Sequence, residues 1–479
     1  MNEGNLHLNK DLPMIMHIDL NSCFAIIEQQ ANRLLRGKPV GVAAYDTPRG
    51  FVLAASYEAK AKGIKLGVNV QQARSMCPGI VIMTPDPPKY REAHRLFKEL
   101  LLEYSPDVVP KSIDEFVVDF EKSYSLKKLK NSMTAVAHTP RLSSINCQIS
   151  EADRLIHNDA MQKIAREIKI KIAERLGEWV TVNIGISTNR FLAKYAAGFG
   201  KPDGMTLIDH TNLVEKYTNM LLTDLPGINV RYRARLRIAG IYTPLDFLAA
   251  DMHKLKKQVF KSINGYHWYR RLRGYEADAI IFSRKSIGHQ YALSKRTDDM
   301  AELERLLMKL CEKTGRRLRK HHFYAAGIHL YLGFEDDQRY LEDPASFEHM
   351  HKMRSWHHSE KVYHRLYSTQ DIYLSAKRLL HTAEIAGRVR IMSVHVFDLS
   401  PWEPEQMSLF GLQQQSKDTK AKIVTADGSV RSADAGKRVS DAVDALNNRY
   451  GEFVITPALM LDMQGTILDR IAFGQVDTL

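Results

Sequence analysis

With 479 residues, 44 % of them hydrophobic and 26 % charged, the chain has material for roughly two to four globular domains. Lys and Arg number 68 against 55 Asp and Glu, a net charge of +13 that favours a polyanionic partner, nucleic acid before an acidic membrane. Four scattered cysteines, Cys23, Cys77, Cys147 and Cys311, exclude a disulfide framework or a cysteine zinc cluster and fit a reducing, cytoplasmic setting.

In chain order, the N-terminal MNEGNLHLNKDLP lacks the layout of a signal peptide, and no apolar run approaches the roughly 20 residues that span a bilayer, so no membrane partner is expected. MIMHIDL (14–20) reads as a short buried strand with Asp19 near its end, and a helical stretch follows from about Ser22. VGVAA (40–44), the turn DTPRG and FVLAA (51–55) form a hairpin. FVVDF (116–120) is a strand that directly follows Ser112-Ile113-Asp114-Glu115. Residues 121–158, rich in Ser, Lys and Asn, read as an insertion or long loop. Met161, Ile164, Ile168, Ile172 and Leu176 mark an amphipathic helix, and Val180, Val182, Ile184 and Ile186 alternate along a strand. Strands mixed with crossing helices predict an α+β sheet domain.

Beyond about residue 209 the chain turns to short helices, with a linker at 275–283. A new unit opens near Arg284. Leu303, Leu306, Leu307, Leu310 and Cys311 line one helix face, while Arg305, Lys309, Lys313, Arg316 and Arg317 crowd the other. FYAAGIHLYL and RVRIMSVHVFDL (388–399) are strand candidates, 411–437 reads as flexible, and Val439, Ala442, Val443 and Leu446 mark a final helix.

An Asp-Glu pair alone is an ordinary loop end. Here Asp19 ends one strand and Asp114 and Glu115 precede another, so neighbouring strands would bring three carboxylates to one edge. Such an oxygen-only set suits hard divalent cations, and a pair of these can promote phosphoryl transfer by activating a hydroxyl and stabilising a leaving group.

Five segments in order resemble the Y-family DNA polymerases, the DinB and UmuC-like group, over nearly the whole chain. They are HIDLNSCFA (17–25), AASYEAKAKGI (54–64), YSPDVVPKSIDEF (104–116), VNIGISTNRFLAK from Val182 and FGKPDG ending at Gly204. The resemblance implies that Asp19, Asp114 and Glu115 bind two Mg²⁺ ions, with Mn²⁺ as a substitute, and that Leu20 lends its backbone carbonyl. It places Phe24 at the steric gate that excludes a ribose 2′-OH, and Tyr57, Lys60 and Lys201 on the incoming dNTP. Two departures stand out: Lys60 replaces a common Arg, trading a bidentate fork for a point charge, and Asn21-Ser22 resembles the UmuC-like branch.

LPGI (225–228), followed by RYRARLRIAG, resembles a helix-hairpin-helix that would grip a DNA phosphate through Gly227, Ile228, Asn229 and Arg231. Asn229 stands where a second glycine is usual and is expected to tolerate positive φ there. RKSIGHQ, from Arg284, resembles the start of a little-finger domain, whose basic helix face is expected to lie along the DNA backbone. QMSLF (406–410) resembles a bacterial sliding-clamp-binding peptide, with Gln406 as anchor and Leu409 and Phe410 as apolar plugs. His349, His351, His357, His358 and His364 match no zinc spacing and read as a solvated loop.

The expected architecture is a right hand: palm (12–22 and 88–208, with the 121–158 insertion), fingers (23–87), thumb (209–277), an α/β little finger (284–400), a flexible segment with the clamp peptide (401–437), and a C-terminal helix and tail (438–479). The implied activity is low-fidelity translesion synthesis on primer-template DNA by a monomer. The rival reading is a catalytically inactive scaffold that binds DNA and clamp. Retention of all three acids speaks against it.

Overall fold

The computed structural model describes residues 6–136, 150–218, 220–279, 284–335, 355–401, 422–424, 430–463 and 467. The chain divides into two units, the first over Met1–Ile281 and the second over Phe282–Asp469.

In the first unit, β1 (Ile15–Leu20) leads into α1 (Cys23–Ala31). The hairpin β2 (Val40–Ala43) and β3 (Val52–Ala55) forms as expected, followed by α2 (Tyr57–Ala61) and α3 (Val70–Met76). A strand the sequence reading missed, β4 (Val81–Met83), adds parallel to β2 and completes a three-stranded fingers sheet. Its three residues are too few to carry a period. Then come α4 (Pro87–Leu102), β5 (Asp107–Pro110), β6 (Glu115–Asp119), α5 (Tyr124–Val136), α6 (Glu151–Arg175), β7 (Val182–Ser187), α7 (Arg190–Ala196) and β8 (Met205–Ile208).

The palm sheet runs β5-β6-β1-β7-β8, with β1 at the centre, antiparallel to both β6 and β7. Alternation sets its two faces. Met16, Ile18, Phe116, Val118, Ile184 and Ile186 pack into one core with Phe97 and Leu100 of α4 and with Ile164 and Ile168 of α6. On the opposite face Ile15 and Val117 meet Ala193 of α7. That helix lies so close to β7 that a Cβ at Gly185 would sit 2.0 Å from the Ala193 carbonyl oxygen, which explains the glycine in an otherwise β-branched strand.

Parts of residues 121–158 are helical. Tyr124–Val136 is helical and buries Leu126, while α6 starts at Glu151, capped by Ser150, and buries His157. The polar surface of these turns masks their helical period.

The thumb comprises α8 (Leu213–Tyr217), α9 (Val230–Ile238), α10 (Pro244–Ala249), α11 (Met252–Lys254) and α12 (Asn264–Leu272), packed around Phe247, Phe260 and Trp268. Part of the expected linker is tied to the palm. Asn189 donates to the Arg271 and Tyr275 carbonyls at 3.0 Å each, and Arg190 pairs with Glu276 at 2.7 Å.

The second unit holds β9 (Ser286–Thr297), α13 (Met300–Lys320), β10 (Phe323–Phe334), β11 (Ser355–Leu366), α14 (Thr369–His381) and β12 (Val389–Pro401). Its antiparallel sheet runs β11-β10-β12-β9. His357, His358 and His364 lie on strand β11 rather than in a loop, while His349 and His351 lie outside the described residues. The segment expected to be flexible contains β13 (Lys422–Val424) paired with β14 (Val430–Ser432), and the final helix α15 (Ala433–Tyr450) begins five residues earlier than expected.

The basic face of α13 is not an open DNA surface. Lys309 is 2 % and Arg319 6 % exposed. Arg319 holds Asp444 of α15 through two bonds of 2.5 and 3.0 Å, Arg316 reaches Glu452 at 3.1 Å, and Lys309 donates to the Met463 carbonyl. The Phe453 ring lies 5.0 Å from the Lys309 ammonium and 5.6 Å from that of Lys313. The chain covers these cations with its own C-terminal segment, and Arg317 is taken up by the Gly288 carbonyl at 2.7 Å.

Candidate active site

The α7-facing side of the palm sheet carries the charged residues. Asp19 stands directly opposite Glu115 in the antiparallel β1–β6 register, so both side chains project from the same face, with His17 two positions back. Asp114 precedes β6, and its carbonyl accepts the Leu20 N–H at 2.9 Å, which pins it beside β1. The four residues expected at the metal site, Asp19, Leu20, Asp114 and Glu115, are thereby gathered at one end of the central strand pair.

Each carboxylate is engaged within the chain. Lys201 pairs with Asp19, Lys194 binds both Glu115 oxygens at 2.6 and 2.9 Å, and Ser112 donates to Asp114 at 2.5 Å. Burial raises the Asp19 carboxyl above its ordinary range despite Lys201, and raises Asp114 despite Ser112. Burial also pushes Glu115 upward, but the Lys194 hydrogen bond and the charges of Lys194 and Lys201 outweigh it and leave the group below its usual value. Burial lowers His17 to about 4, so at neutral pH its imidazole, 3.8 Å from Glu115, carries no charge.

The donor set fits a hard cation. Two buried carboxyls that resist ionisation gain from a neighbouring positive charge, and every donor is oxygen. Among the described residues no three His, Cys, Asp or Glu side chains stand around one point, because Asp19 and Glu115 are drawn to lysines.

The expected nucleotide-binding residues meet beside Asp19. Lys60 reaches from α2 to the Ser22 hydroxyl at 2.7 Å and lies 4.7 Å from the Tyr57 ring centre. Burial lowers the Lys60 ammonium, and the Lys201 charge adds to this. Burial lifts the Tyr57 hydroxyl to about 12. Phe24 is placed differently from a ring lying open under a sugar. It is 0 % exposed and stacked on Tyr90 with centroids 4.4 Å apart.

The thumb turn differs from expectation in one residue. Gly227 takes φ +90°, which its lack of a Cβ permits, but Asn229 has φ −94° and caps α9, accepting the N–H groups of Arg231 and Tyr232 at 3.1 Å each. Ile228 is buried in the thumb core, whereas Arg231 is exposed. Gln406, Leu409 and Phe410 lie outside the described residues.

Sequence reading missed several site residues. A cavity of about 630 Å³ between palm and thumb, lined by Lys111, Glu115, Arg190, Lys194, Gly227 and Arg271 among others, joins the carboxylates to the thumb turn. Arg190 and Lys194, four apart, share one face of α7, a spacing that was legible. Lys111 and Arg271 carried no signal of their own. Ser22 served only as a branch marker.

The fold and this carboxylate edge define a palm-type polymerase architecture, and comparison places the chain within it. The impB/mucB/samB family matches residues 18–198 and its C-terminal domain matches residues 284–409, together well over half of the chain. The DNA polymerase IV of Moorella thermoacetica is 29 % identical over 460 residues, covering 95 % of this chain and 97 % of that protein. DNA polymerase IV 1 of Bacillus subtilis (strain 168) is 27 % identical over 470 residues, covering 96 % of each. Among solved structures, the Y-family DNA polymerase chimera Dbh-Dpo4(243-245)-Dbh shares the fold with a TM-score of 0.63 at 22 % identity, covering 81 % of this chain and 99 % of that one. The chain belongs to the impB/mucB/samB family, the Y-family DNA polymerases.

Proposed function

We infer that the protein is a template-directed DNA polymerase of the translesion kind, adding dNMP to a primer 3′-OH and releasing pyrophosphate. The observation that carries the reading is the Asp19–Glu115 cross-strand pair with Asp114 beside it, bordered by the Lys60–Lys201 cluster on one side and, on the other, by the cavity that reaches the thumb turn.

Asp19, Asp114, Glu115 and the Leu20 carbonyl would hold the divalent ions, Mg²⁺ or Mn²⁺. Two bound ions would activate the primer hydroxyl and neutralise charge on the phosphates. Lys60, Lys201 and Tyr57 bind the triphosphate, and when Lys201 turns to phosphate it releases Asp19 from its ion pair. Lys194 keeps Glu115 ionised and ready as a ligand. The ring of Phe24 is 0 % exposed, so its expected steric-gate role would act through its packing on Tyr90 beneath the sugar rather than by direct contact. Arg190, Arg271 and Lys111 would take the primer-strand phosphates between palm and thumb, Arg190 and Arg271 by exchanging their ion pairs with Glu276 and Asp278, while Gly227 and the exposed arginines of α9 would hold the next ones. No base-reading contact is needed, which suits a polymerase that accepts damaged templates. Gln406, Leu409 and Phe410 tether the enzyme to the sliding clamp, and the protein works in the cytoplasm as a single chain.

Primer extension on an undamaged primer-template with Mg²⁺ and dNTPs tests this. Wild type extends, and Asp114→Ala/Glu115→Ala loses at least about 1,000-fold in rate. Duplex binding without extension, with either metal, would replace this reading with the inactive scaffold.

A further inference from the structure

Ser22 is used in an unusual way. It occupies the N-cap of α1, where a serine oxygen ordinarily accepts an N–H of the first helical turn, yet it makes no capping bond. Its backbone is left-handed, φ 48° and ψ 37°, a conformation that costs a non-glycine residue of order 1 kcal/mol. Neither choice serves the helix. The hydroxyl turns instead to Lys60, 2.7 Å away, and also interacts with the hydroxyl of Tyr57.

Lysine is a point charge on a flexible stem with several rotatable bonds, so a lysine alone fixes its ammonium poorly. Here two contacts from different elements fix it: the Ser22 hydroxyl from the β1–α1 junction and the Tyr57 ring from its own helix. The position so defined lies within electrostatic reach of both Lys201 and Asp19. Two cations gathered beside a carboxylate are costly unless an anion separates them, and a polyphosphate supplies that anion. An ammonium has three donors, and the bond to Ser22 uses one.

Building on the triphosphate reading of this site, we propose that Ser22 is a positioning residue for Lys60, its hydroxyl holding the ammonium where it meets the terminal phosphates of the incoming nucleotide. The Ser22–Lys60 pair does with two side chains what a rigid guanidinium fork does with one.

The test is steady-state single-nucleotide incorporation with Ser22→Gly, Lys60→Ala and Ser22→Gly/Lys60→Arg, alongside thermal unfolding. Glycine accepts the left-handed backbone, so Ser22→Gly keeps or raises Tm while removing the hydroxyl. It raises the dNTP KM about 10-fold with kcat within about twofold, the size expected for one hydrogen bond to a charged group. Adding Lys60→Arg restores most of the KM, since a guanidinium is pre-organised without the serine. If Lys60→Ala raises KM but Ser22→Gly does not, the Ser22 role is overturned while the triphosphate reading stands. A fall in kcat and Tm together in Ser22→Gly assigns the residue to structure and also overturns the proposal. An unchanged KM in Lys60→Ala removes the triphosphate reading itself.

Discussion

Among single residues, lysines hold the palm carboxylates Asp19 and Glu115 in ion pairs. Lys194 binds Glu115 through both oxygens, and Lys201 takes Asp19. Buried anions need such partners, and the same partners must be exchangeable if the carboxylates are to bind metal. Phe24 gives a prediction that separates packing from selectivity. Removing a ring buried against Tyr90 would cost about 3–5 kcal/mol as alanine, so Phe24→Leu is the informative variant. It is expected to remain folded and to lose at least about tenfold in discrimination against ribonucleotides, the factor matching about 1.4 kcal/mol of steric exclusion. Incorporation of rNTP against dNTP measures it, and unchanged discrimination would place the gate elsewhere.

His157 offers a pH prediction of definite sign. It is fully buried in α6 with Nε2 on the Pro13 carbonyl at 2.8 Å, and burial lowers it to about 4. The unfolded chain therefore binds a proton at about pH 6.5 that the folded chain refuses until about pH 4. Its contribution is fully present above pH 6.5 and is lost as pH falls toward 4, to a maximum of about 3 kcal/mol. Denaturant unfolding at pH 7, 5.5 and 4.5 should show this decline, and His157→Gln should make it shallower, with buried His17, likewise lowered to about 4, supplying part of the remainder.

At the scale of elements, the docking of α15 onto α13 reverses what its apolar positions imply. Val439, Leu446 and Tyr450 remain exposed, while Asp444 faces the second unit's own helix and binds Arg319. Because Arg319 is almost wholly buried, Asp444→Ala strands a desolvated guanidinium and is expected to destabilise this unit by about 3 kcal/mol. Replacing both partners, Arg319→Met with Asp444→Leu, should recover most of that loss, since no unpaired charge is left. Thermal unfolding of the full chain reads both. A neutral Asp444→Ala would mean that the pair is not formed in solution. On the thumb, Asn229 shows how one residue type serves two local ends. Asparagine tolerates positive φ and also caps helices, and here capping prevails because α9 starts at the next residue.

Across both units, the net charge of +13 is divided between cations the chain neutralises itself and cations it leaves exposed. On α13, Arg316 and Arg319 face Asp444, Asn448 and Glu452 of the same unit, whereas Arg235 and Arg237 of α9 are exposed on the thumb. Binding to a primer-template should therefore weaken steeply with salt. Arg235→Ala should reduce the log–log slope by about 1. Arg316→Met should leave the slope unchanged, and a slope that falls equally in both would restore α13 as a DNA surface.

The palm was legible in the amino-acid sequence alone. Alternation along β1 and β7, the periodic apolar positions of α6 and the ordered family segments specify strands, helices and the three acids, because these signals are local or carried by residue identity. So was the hairpin, through its turn residues. That Asp19 faces Glu115 is set by the folded chain, since register depends on strands almost a hundred residues apart. The fold also sets that Ser22 meets Lys60 and that the cations of α13 are taken up by α15, the segment after it and the Gly288 carbonyl. A sequence shows which residues carry charge, but which charges remain available depends on what the chain folds against them.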